Sequence, residues 1–123
     1  MKKILIVEDE RILAVSLKMD LEDAGYSEIL MVTNCEDACQ AVENAQPGLV
    51  LMDISIQGEK NGIETAERIS AISNVPVVYL TGETDTETRR KAESTSNCRG
   101  YLTKPVNMEV LEPLMSQILS VGV

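Results

Sequence analysis

Gly48-Leu49-Val50-Leu51-Met52-Asp53 is an apolar run that stops abruptly on a carboxylate, and it constrains the fold of this chain more than any other stretch. A run of Leu, Val, Leu and Met launched by the Pro47-Gly48 turn signal reads as a strand buried on both faces, the condition of interior strands in a parallel sheet. Asp53 then falls at the carboxyl end of that strand. In open α/β sheets ligands bind at that edge, so an aspartate there is either a capping residue or a working group. What separates the two is whether other segments deliver matching groups to the same edge.

Ile4-Leu5-Ile6-Val7 is a further fully apolar run, and it too ends on carboxylates, Glu8 and Asp9. Leu13, Leu17, Leu21 and Ala24 follow at helical spacing, with Gly25 placed to close the helix. Glu28 to Val32 predicts a strand, and Asn34 an N-cap for a short helix with Ala38, Val42 and Ala45 inward. After Asp53 comes a polar loop, Ser55 to Gly62, then a helix marked by Ile63, Ala66, Ile69 and Ile72. Pro76 to Leu80 predicts a strand ending at Thr81-Gly82, and Thr84 to Ser96 a charged, weakly anchored helix. Arg99 to Leu102 is short enough for an edge strand and leads into Thr103-Lys104-Pro105. Asn107 can cap a last helix whose apolar face carries Leu111, Leu114, Met115 and Ile118. Strand then helix, repeated five times with short connections, implies a parallel sheet with helices on both faces joined by right-handed crossovers. The expectation is one domain over residues 1–123 with no output domain.

Composition narrows the chemistry. No apolar run approaches the roughly 18 residues that cross a bilayer, and Met1-Lys2-Lys3 leads directly into a strand pattern, so a cytoplasmic protein is expected. The formal net charge of −9 argues against nucleic acid or an anionic membrane as a direct partner and favours a cation or a basic protein surface. Cys35, Cys39 and Cys98 lack the companions that a tetrahedral zinc site needs and read as small buried or half-buried residues. There is no histidine, which removes the commonest general base and the Ser-His and Cys-His pairs.

In a doubly wound sheet every strand's carboxyl end lies on one edge, which would collect Glu8, Asp9, Asp53, Thr81 and Lys104. Each has a plain reading as a cap, a turn residue or a solvated lysine. Their arrival together points to a site. Carboxylates crowded into one cleft repel, and a hard divalent cation such as magnesium relieves that repulsion while leaving Asp53 an oxygen free for chemistry. Lys104 adds a fixed positive charge and Thr81 a hydroxyl donor, so the set suits a transferring phosphoryl group. Carboxylates are established phosphoryl acceptors.

These residues carry a resemblance to the response-regulator receiver domains of two-component signalling. It rests on the Glu8-Asp9 pair after the first strand, Asp53 after the third, Thr81 after the fourth, Tyr101 in the fifth and the Lys104-Pro105 pair, and it covers the whole chain. The resemblance implies a flavodoxin-like doubly wound (βα)5 fold of the chemotaxis-regulator-like branch, strand order 2-1-3-4-5. It implies that Asp53 is the phosphoacceptor and that Asp9 and Asp53 hold magnesium or manganese, with Glu8 assisting and the Ser55 backbone carbonyl as a further ligand. Thr81 and Lys104 would bind the phosphoryl oxygens, and the Lys104-Pro105 peptide would be cis. Gly58 to Glu64 resembles a common variant of the loop after the acceptor, whereas Gly82 and Glu83 depart modestly from the usual pattern.

On that reading phosphorylation biases a two-state equilibrium. Thr81 moves inward, Tyr101 follows, and the face formed by the fourth helix, fifth strand and fifth helix repacks. The phosphoryl group must come from a sensor histidine kinase, a phosphotransfer protein or a small phosphodonor, because the chain has no histidine of its own. Output would be a contact with a downstream target protein or a homodimer through the last helices. The protein is then a signalling domain that assists only its own phosphoryl transfer and aspartyl-phosphate hydrolysis. The competing readings are a flavin or nucleotide binder, disfavoured by Glu8-Asp9-Glu10 where a phosphate loop would stand, and an aspartyl phosphohydrolase, which would want an acid at Ser55. A receiver-shaped module acting without phosphorylation is the remaining alternative.

Overall fold

The structure is a computed structural model and describes residues 3–56, 58, 61–82 and 85–121, residue 121 by its backbone. Strands and helices alternate throughout: β1 (Lys3–Val7), α1 (Arg11–Asp23), β2 (Glu28–Val32), α2 (Cys35–Ala45), β3 (Leu49–Met52), α3 (Gly62–Ser70), β4 (Val77–Thr81), α4 (Thr86–Glu93), β5 (Cys98–Thr103) and α5 (Met108–Val121). The strands make one parallel sheet in the order β2-β1-β3-β4-β5, the flavodoxin-like arrangement.

The three central strands are apolar because both of their faces are covered. Side chains alternate across the sheet with period two, so each strand feeds two cores. Leu5, Val7, Val50, Met52 and Tyr79 join α2, α3 and α4 through Ala38, Val42, Ala66, Ile69 and Ala92. Ile4, Ile6, Leu49, Leu51, Val78 and Leu80 join α1 and α5 through Ala14, Leu21, Leu111 and Met115. Register places Val7 beside Met52, Met52 beside Tyr79 and Thr81 beside Thr103, so β1 and β3 finish level, β4 and β5 run two residues farther, and the residues that follow all four share one edge.

Local signals set the helix ends. Asn34 accepts a hydrogen bond from the Asp37 amide at 2.9 Å, and Asn61 and Glu64 form a reciprocal capping box at the head of α3. Asn107 accepts from the Glu109 amide at 2.9 Å at the start of α5. Gly25, with φ of +104°, follows α1 in the left-handed region that glycine tolerates best.

Three expectations shift. In α1 the residues turned to the sheet are Ala14 and Leu21, while Leu13 is 41% exposed. The small Ala14 side chain fits where the helix lies on the sheet, and this places Leu13 at the border of a lateral cavity. α3 ends at Ser70, so Ile72 lies past the helix and is 46% exposed. α4 runs only from Thr86 to Glu93, capped by Asp85, and Thr84 lies outside the described residues. Cys35 and Cys39 are buried, Cys98 is half-buried, and none is in a disulfide. No helix among the described residues is long and apolar enough to cross a membrane.

Candidate functional site

The site is built where the buried strands run out. The Glu8 amide donates to the Val32 carbonyl at 3.0 Å and the Asp53 amide to the Val7 carbonyl at 3.0 Å, so both acids extend the ladder by one residue before the chain turns away. That extension holds their side chains at the sheet edge. Glu8 and Asp53 are each only 6% exposed, while Asp9 is half-buried. Oxygens of Glu8, Asp9 and Asp53 all lie within 4.8 Å of one another.

Lys104 arrives from the far side. Its amide donates to the Thr81 carbonyl at 2.8 Å, and the Lys104-Pro105 peptide is cis. Its ammonium donates to Glu8 Oε1 at 2.5 Å and stands 3.3 Å from Asp53 Oδ2, bridging acids from two strands. Thr81 is fully buried at the end of β4. Asp53 Oδ1 accepts from the Ser55 amide at 3.2 Å, and the Ser55 side chain is exposed. Glu8, Asp9, Asp53 and Lys104 are thus brought together, with Ser55 and Thr81 adjoining through backbone bonds. Tyr101 stands apart, one strand over and 8% exposed. Its ring lies 6.3 Å from that of Tyr79, and the Arg89 guanidinium lies 5.1 Å from its centroid.

Charge explains the state of these groups. Burial raises the Glu8 carboxyl above its ordinary pKa; the hydrogen bond from Lys104 opposes the rise and Asp53 adds to it. Burial alone would lower the Lys104 ammonium, but the hydrogen bond to Glu8 and the charges of Asp53 and Glu8 outweigh it and hold its pKa high. One lysine faces three acids, so the cluster keeps an excess of negative charge. Hard oxygen donors with an unneutralised charge fit a magnesium-type cation. Beside the cluster a cavity of about 490 Å³ opens between α1 and the segment after β5, lined by Leu13, Leu17, Leu80, Pro105 and Val106.

Two contributors were not evident from sequence. Gly62 approaches the strand end so closely that a Cβ there would overlap the Asp53 carbonyl oxygen, and its amide donates to the Ile54 carbonyl at 2.7 Å. A glycine directly after a helix N-cap was the available signal, because helix starts do not ordinarily require one. Arg89 over Tyr101 had no local signal, since the pair meets only when α4 packs against β5.

A doubly wound parallel sheet with an acidic cluster and one bridging lysine at its carboxyl edge defines a class built to handle a phosphoryl group or a cation. The chain belongs to the response regulator receiver domain family, whose model matches residues 4–115. It is 32% identical to the aerobic respiration control protein ArcA of Escherichia coli, over 97% of this chain and 50% of that protein. It is 27% identical to the transcriptional regulatory protein PdtaR of Mycobacterium tuberculosis, over 97% of this chain and 57% of that protein. Among solved structures, the signal receiver domain of a modulated diguanylate cyclase from Desulfovibrio desulfuricans superposes with a TM-score of 0.89 at 34% identity, covering 98% of this chain and 95% of the other. The chain spans about half the length of the curated relatives it matches. Receiver domains are phosphoacceptor signalling domains of two-component systems rather than classical enzymes, and they generally bind magnesium at an acidic pocket.

Proposed function

We propose that this domain accepts a phosphoryl group on Asp53 from a phosphohistidine donor and uses the modified site to change a protein-binding surface. The observation that carries the reading is the Lys104 ammonium held between the carboxylates of Glu8 and Asp53. Asp53 Oδ attacks phosphorus, the new O–P bond forms as the donor's N–P bond breaks, and the electron pair leaves with the histidine nitrogen. Glu8, Asp9 and Asp53, with the Ser55 carbonyl, are the residues that would hold magnesium or manganese. When bound, that cation neutralises charge on the phosphoryl oxygens. Lys104 exchanges its contact with Glu8 for a phosphoryl oxygen, and the Thr81 hydroxyl donates to another.

The same movement supplies the switch. Thr81 ends β4, Tyr101 pairs in β5 with Tyr79, two residues before Thr81 on the same face of the strand, and a shift of Thr81 would repack that shared face. The surface formed by α4, β5 and α5 then presents a different face to a downstream protein. A sensor histidine kinase or a phosphotransfer protein supplies the phosphoryl group, and the cytoplasm is the compartment where such donors act.

Intact-mass spectrometry after incubation with a small phosphodonor and magnesium tests the reading. One phosphoryl increment is expected in the wild type, absent without magnesium and absent in Asp53→Asn. No increment in donor and metal excess would leave a module that acts without phosphorylation.

A further inference from the structure

The body of the cavity beside the acidic edge plays no part in the phosphoryl reading. It opens over β1 and β3, which are neighbours because the chain steps out to β2 and then crosses back over β1. In open α/β sheets small molecules bind at the carboxyl ends of the strands where the path reverses in this way. Such sites are pockets of roughly 300–1,000 Å³ with mainly apolar walls and a few convergent polar groups. This cavity, at about 490 Å³, has that form. Leu51 and Leu80 line it from the sheet, Leu13 and Leu17 from α1, and Pro105 and Val106 from the segment after β5.

The charges in the lining say what it fits. Glu8, Asp53 and Lys104 line the end at the sheet edge, while Ser16 and Asp20 stand farther down α1, which runs away from that edge. Glu8 and Asp53 are each 6% exposed and share one ammonium, and no other base among the described residues lines the cavity. Three acids therefore face one base, and buried charge in excess of its partner is costly. An anion would meet that excess and the chain's formal net charge of −9 as well. A bare metal ion makes no use of apolar walls, since a hard cation keeps oxygen ligands around it. Asp9, moreover, belongs to the acidic cluster but does not line the cavity, so the cavity reaches Glu8 and Asp53 from another side. What satisfies both the charge and the walls is a cation with a hydrocarbon body.

We propose that this cavity binds a small organic amine, its ammonium against Glu8 and Asp53 beside Lys104 and its hydrocarbon body between α1 and the segment after β5. The ammonium adds the positive charge that the two buried carboxylates share too little of, and the body covers Leu13, Leu17, Leu80 and Val106. Binding of this kind requires neither a phosphoryl donor nor a metal. It therefore stands or falls independently of the phosphoryl reading.

NMR titration of the full chain in chelator with butylamine, hexylamine and octylamine tests the proposal, with hexanol and hexanoate as the neutral and anionic probes of matched length. Amide shifts are expected to saturate at one site around Leu17 and Val106. The Kd should fall at least about twofold for each added methylene, against about fourfold for complete burial. Hexanol and hexanoate should bind at least about tenfold more weakly than hexylamine, because neither makes a charge-assisted hydrogen bond to the carboxylates. Leu13→Gln and Val106→Gln, on facing walls, should each weaken hexylamine at least about fivefold, and Asp53→Asn at least about tenfold. Met19→Gln, on the other flank of α1 and 59% exposed, should leave its Kd unchanged. Thermal melts confirm that each variant is folded. A wild type without saturable shifts, a Kd indifferent to chain length, hexanol or hexanoate binding as tightly as hexylamine, or wall variants that bind hexylamine like wild type would each overturn the assignment.

Discussion

Tyr79 shows how one buried hydroxyl ties the sheet to its least anchored helix. Its ring is fully buried in β4, and its hydroxyl lies 2.9 Å from Thr95 Oγ1 just beyond α4. Thr95 spends its own proton on the Ala92 carbonyl at 2.7 Å, so Tyr79 must be the donor in the shared bond. Burial pushes the phenol pKa up to about 12, partly offset by the Thr95 hydrogen bond and reinforced by Cys98 and Glu67. The fold thus prefers the neutral phenol, and its contribution is complete below the unfolded pKa near 10. As pH rises from about 10 to about 12 the unfolded chain gives up this proton first, and about 3 kcal/mol of stability is lost across the window. Tyr79→Phe removes the titration and, by deleting one hydrogen bond, costs roughly 1 kcal/mol at pH 8. Denaturant unfolding of both proteins from about pH 8 to 11.5 should therefore show the wild-type advantage shrinking and vanishing near pH 11. A gap that stays constant with pH would mean that Tyr79 ionises as freely in the native state as in the unfolded one.

α4 is the element on which that bond acts, and little else holds it. Ala92 is its one buried residue, and its two ion pairs, Arg90 with Glu87 and Arg89 with Glu93, are exposed and contribute little. Among the described residues its anchors include the Asp85 cap, accepting from the Thr88 amide at 2.9 Å, the Arg89–Tyr101 contact and the Tyr79–Thr95 bond. Asp85→Ala should raise amide exchange across α4 several-fold while leaving exchange in β1 and β3 unchanged, because the helix opens locally before the domain does. Equal acceleration everywhere would make α4 part of the global unit and unsuited to a switch. Sequence conveyed the weakness of this helix through its charge and scarcity of apolar residues, as it conveyed β1 and β3 through runs that end on acids. It misjudged α1, where leucine spacing pointed to Leu13, because periodicity sees hydrophobicity and not the close approach that favours Ala14. It extended α3 to Ile72 for the same reason. Arg89 was hidden because it is defined by a contact across elements, with the Tyr101 ring, and such contacts leave no mark on local pattern; Gly62 left the mark of a glycine after a helix N-cap, which does not say that the Asp53 carbonyl is what it must clear.

Across the whole molecule the acidic edge is a local concentration of a global excess, since the chain carries a formal net charge of −9. Folding gathers Glu8, Asp9 and Asp53 against that background, and Lys104 is the cation that the fold itself provides there. The geometry gives it a double role. Lys104 neutralises Glu8 and Asp53 and so stabilises the fold, and under the proposed function the same charge would oppose an incoming metal. Magnesium binding to the native state alone should raise stability by about 1.4 kcal/mol at ten times its Kd, seen as a melting temperature several degrees higher. Lys104→Met should act in opposite directions on the two quantities. In chelator the variant should melt lower, by roughly 1–3 kcal/mol, because two buried carboxylates lose their partner. Titrated with magnesium, the same variant should gain more than wild type at every concentration, with a several-fold lower Kd, because the internal competitor is gone. Asp9→Ala should flatten the response in both backgrounds while leaving the Lys104 contacts in place. Thermal melts of the four proteins against magnesium decide the matter. If Lys104→Met gains no more from the metal than wild type does, the ammonium is not a stand-in for the cation and its place between Glu8 and Asp53 serves packing alone.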